Sequence, residues 1–128
     1  MKQALLLLPV LLVACMPAQV VEPVRQSVAY AAPRAEVAQA LAEIAPTVVI
    51  NNFWNGYRVT SQSEARVAME ATGRFANDNS RVDTFWNLTE TNGVTTASVS
   101  TSGLRNDVAA STHAAFFGQL DARFKRAP

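Results

Sequence analysis

The sequence predicts an α+β domain: a four-stranded antiparallel meander sheet with an N-terminal and a C-terminal helix packed on one face. Three observations carry this expectation. Apolar residues recur at helical spacing from Val37 and again from Ala109. Between these two regions, short segments alternate apolar and polar with the period of half-buried strands. One pair of such segments is joined by Asn92-Gly93, a dipeptide that marks a two-residue hairpin turn. A chain of 128 residues is long enough for one such domain and too short for two.

The first helix is expected from Pro33, a residue suited to a first helical turn. Val37, Leu41, Ile44 and Val48 fall at helical spacing, with Glu36, Gln39 and Glu43 on other faces, and Pro46 ends or bends the helix. Residues 47–55 are ambiguous. Thr47-Val48-Val49-Ile50 has the β-branched content of a strand, whereas Asn55-Gly56 has the form of a helix C-terminus, and we favour one or two further helical turns.

Tyr57–Ser61 and Arg66–Ala71 alternate as strands do. A loop at Gln62-Ser63-Glu64 sets Val59 against Val67 and Tyr57 against Met69 on one side, with Arg58, Thr60, Arg66 and Glu70 on the other. The next hairpin is more tightly specified, because a type I′ turn needs positive φ at both central residues and Asn-Gly supplies them. That turn sets Thr91 opposite Val94, Leu88 opposite Ala97 and Trp86 opposite Val99. Thr89 with Thr96, Asn87 with Ser98 and Phe85 with Ser100 then share the polar face, so turn chemistry and hydrophobic pattern agree.

The last helix is expected from about Asp107 to Lys125, with Asn106 or Asp107 near its N-cap and Lys125 and Arg126 complementing its dipole. Ala109, Thr112, Phe116, Leu120 and Phe124 form its apolar stripe, broadened by Phe117. The expected core joins Val37, Leu41, Ile44, Tyr57, Val59, Val67, Met69, Trp86, Leu88, Val99, Phe116, Leu120 and Phe124.

Ahead of this domain lie one basic residue, Lys2, and the apolar run Ala4–Leu12, followed by Val13, Ala14 and Cys15. A charged start, a short apolar stretch and small residues before a cut are the parts of a secretory signal peptide, and the run falls short of the ~20 residues a spanning helix needs. Leu12-Val13-Ala14-Cys15 resembles the lipobox of bacterial lipoproteins. The resemblance implies cleavage between Ala14 and Cys15, lipid attached to Cys15 and a membrane held through that lipid. Met16 after Cys15, where retention signals carry Asp, resembles the signal for transfer to the outer membrane, with the domain facing the periplasm. Residues 1–14 are then the signal peptide, 15–33 the lipidated Cys and a flexible tether, and 34–128 the domain. Pro17, Pro23 and Pro33 interrupt the tether, which could reach ~60 Å fully extended.

Chemistry-bearing residues are sparse. Cys15 is the only cysteine, so the mature chain has no disulfide and no cysteine-based metal site. His113 is the only histidine and shares a helix side with Phe116, Phe117 and Leu120, which reads as packing; Ser111 and Asp107 project from other faces. Asp83 and Glu90 point to opposite faces of their strand. Glu70 and Asp83 share the outer face near Arg66 and Arg81 and read as surface ion pairs. Asn77–Arg81 has the composition of part of a calcium loop but lacks its glycine and bidentate Glu, and reads as a turn. No catalytic residue, metal site or cofactor is expected. Arginines interleaved with acids, at a formal charge of +1, argue against a nucleic-acid partner.

What remains is a surface. Phe85 should project among Asn87, Thr89 and Thr96, an aromatic in a hydroxyl-rich field suited to an envelope protein or a glycan. The mature domain resembles the small uncharacterised lipoproteins of Gram-negative envelopes in its run Trp86 to Gly103 followed by a long helix. That resemblance implies a non-enzymatic binding or assembly module. The rival reading is a small periplasmic hydrolase or ligand-binding protein with a pocket near His113 and Trp86.

Overall fold

A computed structural model of the chain describes residues 25–75 and 79–128. The described chain runs through strand β1 (Arg25–Tyr30), helix α1 (Arg34–Ile44), a 3-10 turn (Ala45–Thr47), strands β2 (Arg58–Gln62), β3 (Arg66–Thr72), β4 (Arg81–Thr91) and β5 (Val94–Ser102), and helix α2 (Asn106–Arg123). The strands form one antiparallel sheet in the order β1-β5-β4-β3-β2, with both helices on one face. The α+β class and the meander of β2 to β5 agree with the sequence reading. The strand count does not: the sheet has five strands rather than four.

The added strand comes from residues assigned to the tether. Arg25–Tyr30 lies between Pro23 and Pro33, so the prolines bracket a strand instead of interrupting one. Its inward side chains are Gln26, Val28 and Tyr30, and its register runs from Arg25 opposite Ser100 to Tyr30 opposite Thr95. Tyr30 is fully buried and donates its hydroxyl to Asp121 at 3.0 Å. Burial, with that carboxylate beside it, raises the phenol's pKa.

The β4–β5 hairpin has the expected register at all six pairs read from the turn. Asn92 and Gly93 both have positive φ, at 52° and 76°. The β2–β3 pairing differs. Val59 lies opposite Met69, and a bulge at Thr60 shifts the register so that Ser61 meets Ala68 and Gln62 meets Val67. The loop is Ser63–Ala65, held by Ser63 Oγ, which accepts from the amides of Ala65 and Arg66. Tyr57 precedes the strand and points its hydroxyl into the core.

Residues 47–55 are neither of the two alternatives. After the 3-10 turn, where Thr47 Oγ1 donates to Ile44 O, the backbone opens into an Asx turn in which Asn51 Oδ1 accepts from Phe53 N. Trp54 then bridges to Gly73 at the end of β3. Helix α2 ends at Arg123, two residues early, because the chain turns back along β1. Ala31 N donates to Lys125 O and Ala127 N donates to Ala29 O. Arg126 forms a double contact with Asp121 instead of capping the helix.

Eleven of the thirteen expected core residues are buried, with Val59 and Phe124 partly so. Trp86 is the centre: Phe116 and Phe117 each meet it edge-on, with ring centroids 5.4 Å apart. No described helix is long and apolar enough to cross a membrane.

Candidate functional site

The outer face of the sheet carries small polar side chains because alternation sends every second residue of β5, β4 and β3 away from the helices. Rows across the strands follow from the register. One row is Arg25, Ser100, Phe85, Ala68 and Ser61; the next is Ser27, Ser98, Asn87 and Arg66. Phe85 is 43% exposed, as its place on the polar face predicts. Its neighbours Ser100 and Ala68 are too small to cover it.

Beside Phe85 the bulge of β2 creates a concavity of about 330 Å³. Ser61, Gln62, Ser63, Arg66, Ala68 and Phe85 line it, together with Val67 and Trp86. Arg66 stands at this site with no ion pair or hydrogen bond from its guanidinium among the described residues, whereas Arg58 pairs with Glu70 and Arg81 with Asp83. The sequence reading placed Arg66 near those carboxylates. Register places it opposite Asn87 instead, four residues along the strand from their row. The concavity therefore offers an aromatic wall, serine hydroxyls, a side-chain amide and an unneutralised cation. These are groups able to contact a polar, anionic ligand.

Of the four residues singled out on this face, Phe85 lines the concavity and Asn87 adjoins it through Arg66. Thr89 and Thr96 pair with one another further toward the hairpin turn and do not line it. Ser61, Ser63 and Arg66 were missed as a group, because nothing local in the sequence signals the bulge. Ala14, Cys15 and the rest of the leader and first part of the tether lie outside the described residues, as do Asn77 and Asp78 of the loop read as a turn.

On the opposite face His113 is fully buried. Its Nδ1 lies 2.7 Å from Gln26 Oε1 and its Nε2 lies 2.7 Å from Thr101 Oγ1. The chain of contacts continues at 2.8 Å to Thr84 and at 2.8 Å to the Tyr57 hydroxyl. With Gln26 presenting its oxygen, Nδ1 carries the proton and Nε2 accepts from Thr101. Thr101 and Thr84 then each donate once and accept once, and the Tyr57 hydroxyl donates to Thr84. Burial lowers the His113 pKa to about 4, so the imidazole is neutral at pH 7. Burial likewise raises the Tyr57 phenol. A hydroxyl thus stands within reach of His113. Among the described residues, however, His113 lines none of the five main concavities. The buried indole Nε1 of Trp86 has no hydrogen-bond partner among the described residues.

No protein-family model matches the sequence, and no curated protein does. Solved structures share its fold. An HSP90 activator from Plasmodium falciparum superposes with a TM-score of 0.59 at 8% identity, over 84% of this chain and 100% of that one. The Aha1 dimer from Colwellia psychrerythraea gives 0.55 at 12% identity, over 78% of this chain and 93% of that one. Ara h 8.0201 gives 0.54 at 11% identity, over 80% and 96%. At these identities the likeness is one of fold: a single antiparallel sheet with helices on one side.

Proposed function

We propose that this chain is an envelope lipoprotein, anchored through lipid on Cys15 in the outer membrane and facing the periplasm, whose domain is a non-enzymatic binding module. The observation that carries the binding reading is the concavity beside Phe85, with the unpaired Arg66 guanidinium among serine hydroxyls. A carboxylate-bearing glycan has the best chemical fit. Its sugar faces would stack on Phe85, its hydroxyls would meet Ser61 and Ser63, and its carboxylate would pair with Arg66 in the bidentate manner guanidinium favours. The commitment of both His113 ring nitrogens inside the core supports binding over hydrolysis. The anchor rests on the Leu12-Val13-Ala14-Cys15 sequence alone.

Two measurements test the two halves separately. Intact mass of protein from membranes should give a triacylated chain beginning at Cys15, lost in Cys15→Ser; an unmodified chain removes the anchor. Sedimentation with purified peptidoglycan should retain the wild type and release Phe85→Ala and Arg66→Ala, with Thr96→Ala less affected because it lies off the concavity. Equal retention of all four chains, or of none, rejects the glycan site, and capture of an envelope protein lost in the same variants would transfer the face to a protein partner.

A further inference from the structure

A second exposed surface lies at one end of the sheet. Val49 is 74% exposed, Phe53 41% and Phe75 60%. The rings are gathered: Phe53 meets Trp54 edge-on at 5.0 Å and Phe75 at 5.8 Å. The backbone holds the two loops together, since Arg74 N donates to Phe53 O and Asn55 N donates to Thr72 O. Asn55 Nδ2 adds bonds to Thr72 Oγ1 and Gly73 O. Such a fastened aromatic patch is not a frayed loop, and contiguous exposed apolar surface of this kind marks an interaction site.

Topology says what it faces. The patch adjoins Thr72, which pairs with Arg81 at the start of β4. Asp83 pairs with Ser102 at the end of β5, and Ser100 pairs with Arg25 at the start of β1. Strand β1 therefore begins in the row of Phe85, with its N-terminal end turned toward the end of the sheet that carries the aromatic patch. Charge at this end matches a bilayer with anionic headgroups. Glu70, Asp83 and Asp107 are each paired with Arg58, Arg81 and Arg105, leaving Arg74, beside the patch, without a carboxylate partner among the described residues.

We propose that Val49, Phe53, Trp54 and Phe75 rest in the interfacial layer of the bilayer, with Arg74 toward its phosphates. In that orientation the N-terminal end of β1 is turned toward the bilayer, as an anchor at Cys15 would require, so to that extent the inference rests on the anchored reading. Phe and Trp beside Arg is the composition with which proteins lie in a lipid interface.

The two tryptophans give a built-in readout, because Trp54 is on the patch and Trp86 is fully buried in the core. The full protein purified from membranes is reconstituted into phosphatidylethanolamine–phosphatidylglycerol vesicles, with or without brominated acyl chains. Brominated lipid should quench the Trp54 share of the emission, and Trp54→Phe should abolish the quenching. The double substitution Phe53→Ser with Phe75→Ser should lose it as well while keeping the wild-type far-ultraviolet dichroism; Phe85→Ala should keep it. No quenching in acylated wild-type protein, or undiminished quenching in the double variant, overturns the proposal. So does a concentration-dependent dimer that the double variant abolishes without any quenching, since the patch would then meet a second copy. Intact mass on the same preparation reports the anchor separately. If Cys15 is unmodified, co-sedimentation of that chain with the same vesicles, lost in the double variant, decides the patch on its own.

Discussion

Between pH 6.5 and about 4, acid should destabilise this domain chiefly through His113. Below pH 6.5 the unfolded chain takes up a proton on this imidazole, whereas the folded chain refuses it until about pH 4. The unfolded state therefore binds more protons within that window, and stability falls as the pH is lowered through it. The contribution is complete above pH 6.5 and gone below pH 4. A displacement of that size corresponds to about 3 kcal/mol, a large fraction of the stability of a small domain. The relay gives the same sign by a second route. An imidazolium would donate from Nε2, forcing Thr101, Thr84 and Tyr57 to reverse and leaving a Tyr57 proton without an acceptor in the core.

The assay is urea unfolding at a series of pH values for wild type and His113→Gln. Glutamine keeps a polar amide at the site and cannot titrate, so the variant starts less stable and should lose nothing further through this residue between pH 6.5 and 4. The wild-type advantage should shrink by about 3 kcal/mol across the window. Asp107 and Asp121, held low mainly by Arg105 and Arg126, are common to both chains and cancel in the difference. Parallel pH profiles for the two proteins would refute the argument, because they would mean that the folded imidazole titrates like a free one.

Two further substitutions probe the framework. Gly103 has φ of +97°, and a Cβ there would sit 2.4 Å from Arg81 O, so Gly103→Ala should lower the melting temperature through both a left-handed backbone and a clash, at a cost of at least about 1–3 kcal/mol. Phe116→Ala should cost about 3–5 kcal/mol in chemical unfolding, since its fully buried ring touches both Trp86 and Tyr57; a loss under about 1 kcal/mol would mean that the space above Trp86 is not filled as described.

The parts of the fold legible in the sequence were those whose signals are local. Asn92-Gly93 set a hairpin register correct to the residue, because turn geometry and alternation bear on the same short segment. Helix α1 was found for the same reason. Strand β1 was missed because it is an edge strand with only three inward positions, one of them Gln26, and its partner β5 lies some seventy residues away in sequence. The bulge at Thr60 was invisible, and with it the meeting of Ser61 and Ser63 with Phe85. Phe85 itself was read correctly, since exposure follows from strand parity alone. Arg66 needed the β3–β4 register, which no turn signal supplied.

The two faces of the sheet divide the labour by packing. The inner face is closed by Trp86, Phe116, Leu41 and Tyr30, so a ligand entering there would have to displace fully buried side chains. The outer face keeps Ser100 and Ala68 on either side of Phe85 and leaves its ring uncovered beside the concavity, which costs the fold little. The aromatic patch and the concavity lie toward opposite ends of β3, next to Thr72 and Arg66 respectively. Six residues of strand at ~3.3 Å each put them ~20 Å apart. With the patch on the bilayer, Arg66 and Phe85 would open well above the headgroups, where a cell-wall polymer rather than a lipid comes within reach. The two sites should therefore separate experimentally: Phe53→Ser with Phe75→Ser should alter bilayer contact and leave peptidoglycan retention intact, and Arg66→Ala should do the reverse. Loss of both properties in either variant would mean that one surface serves both, and the division of faces argued from the register would fall.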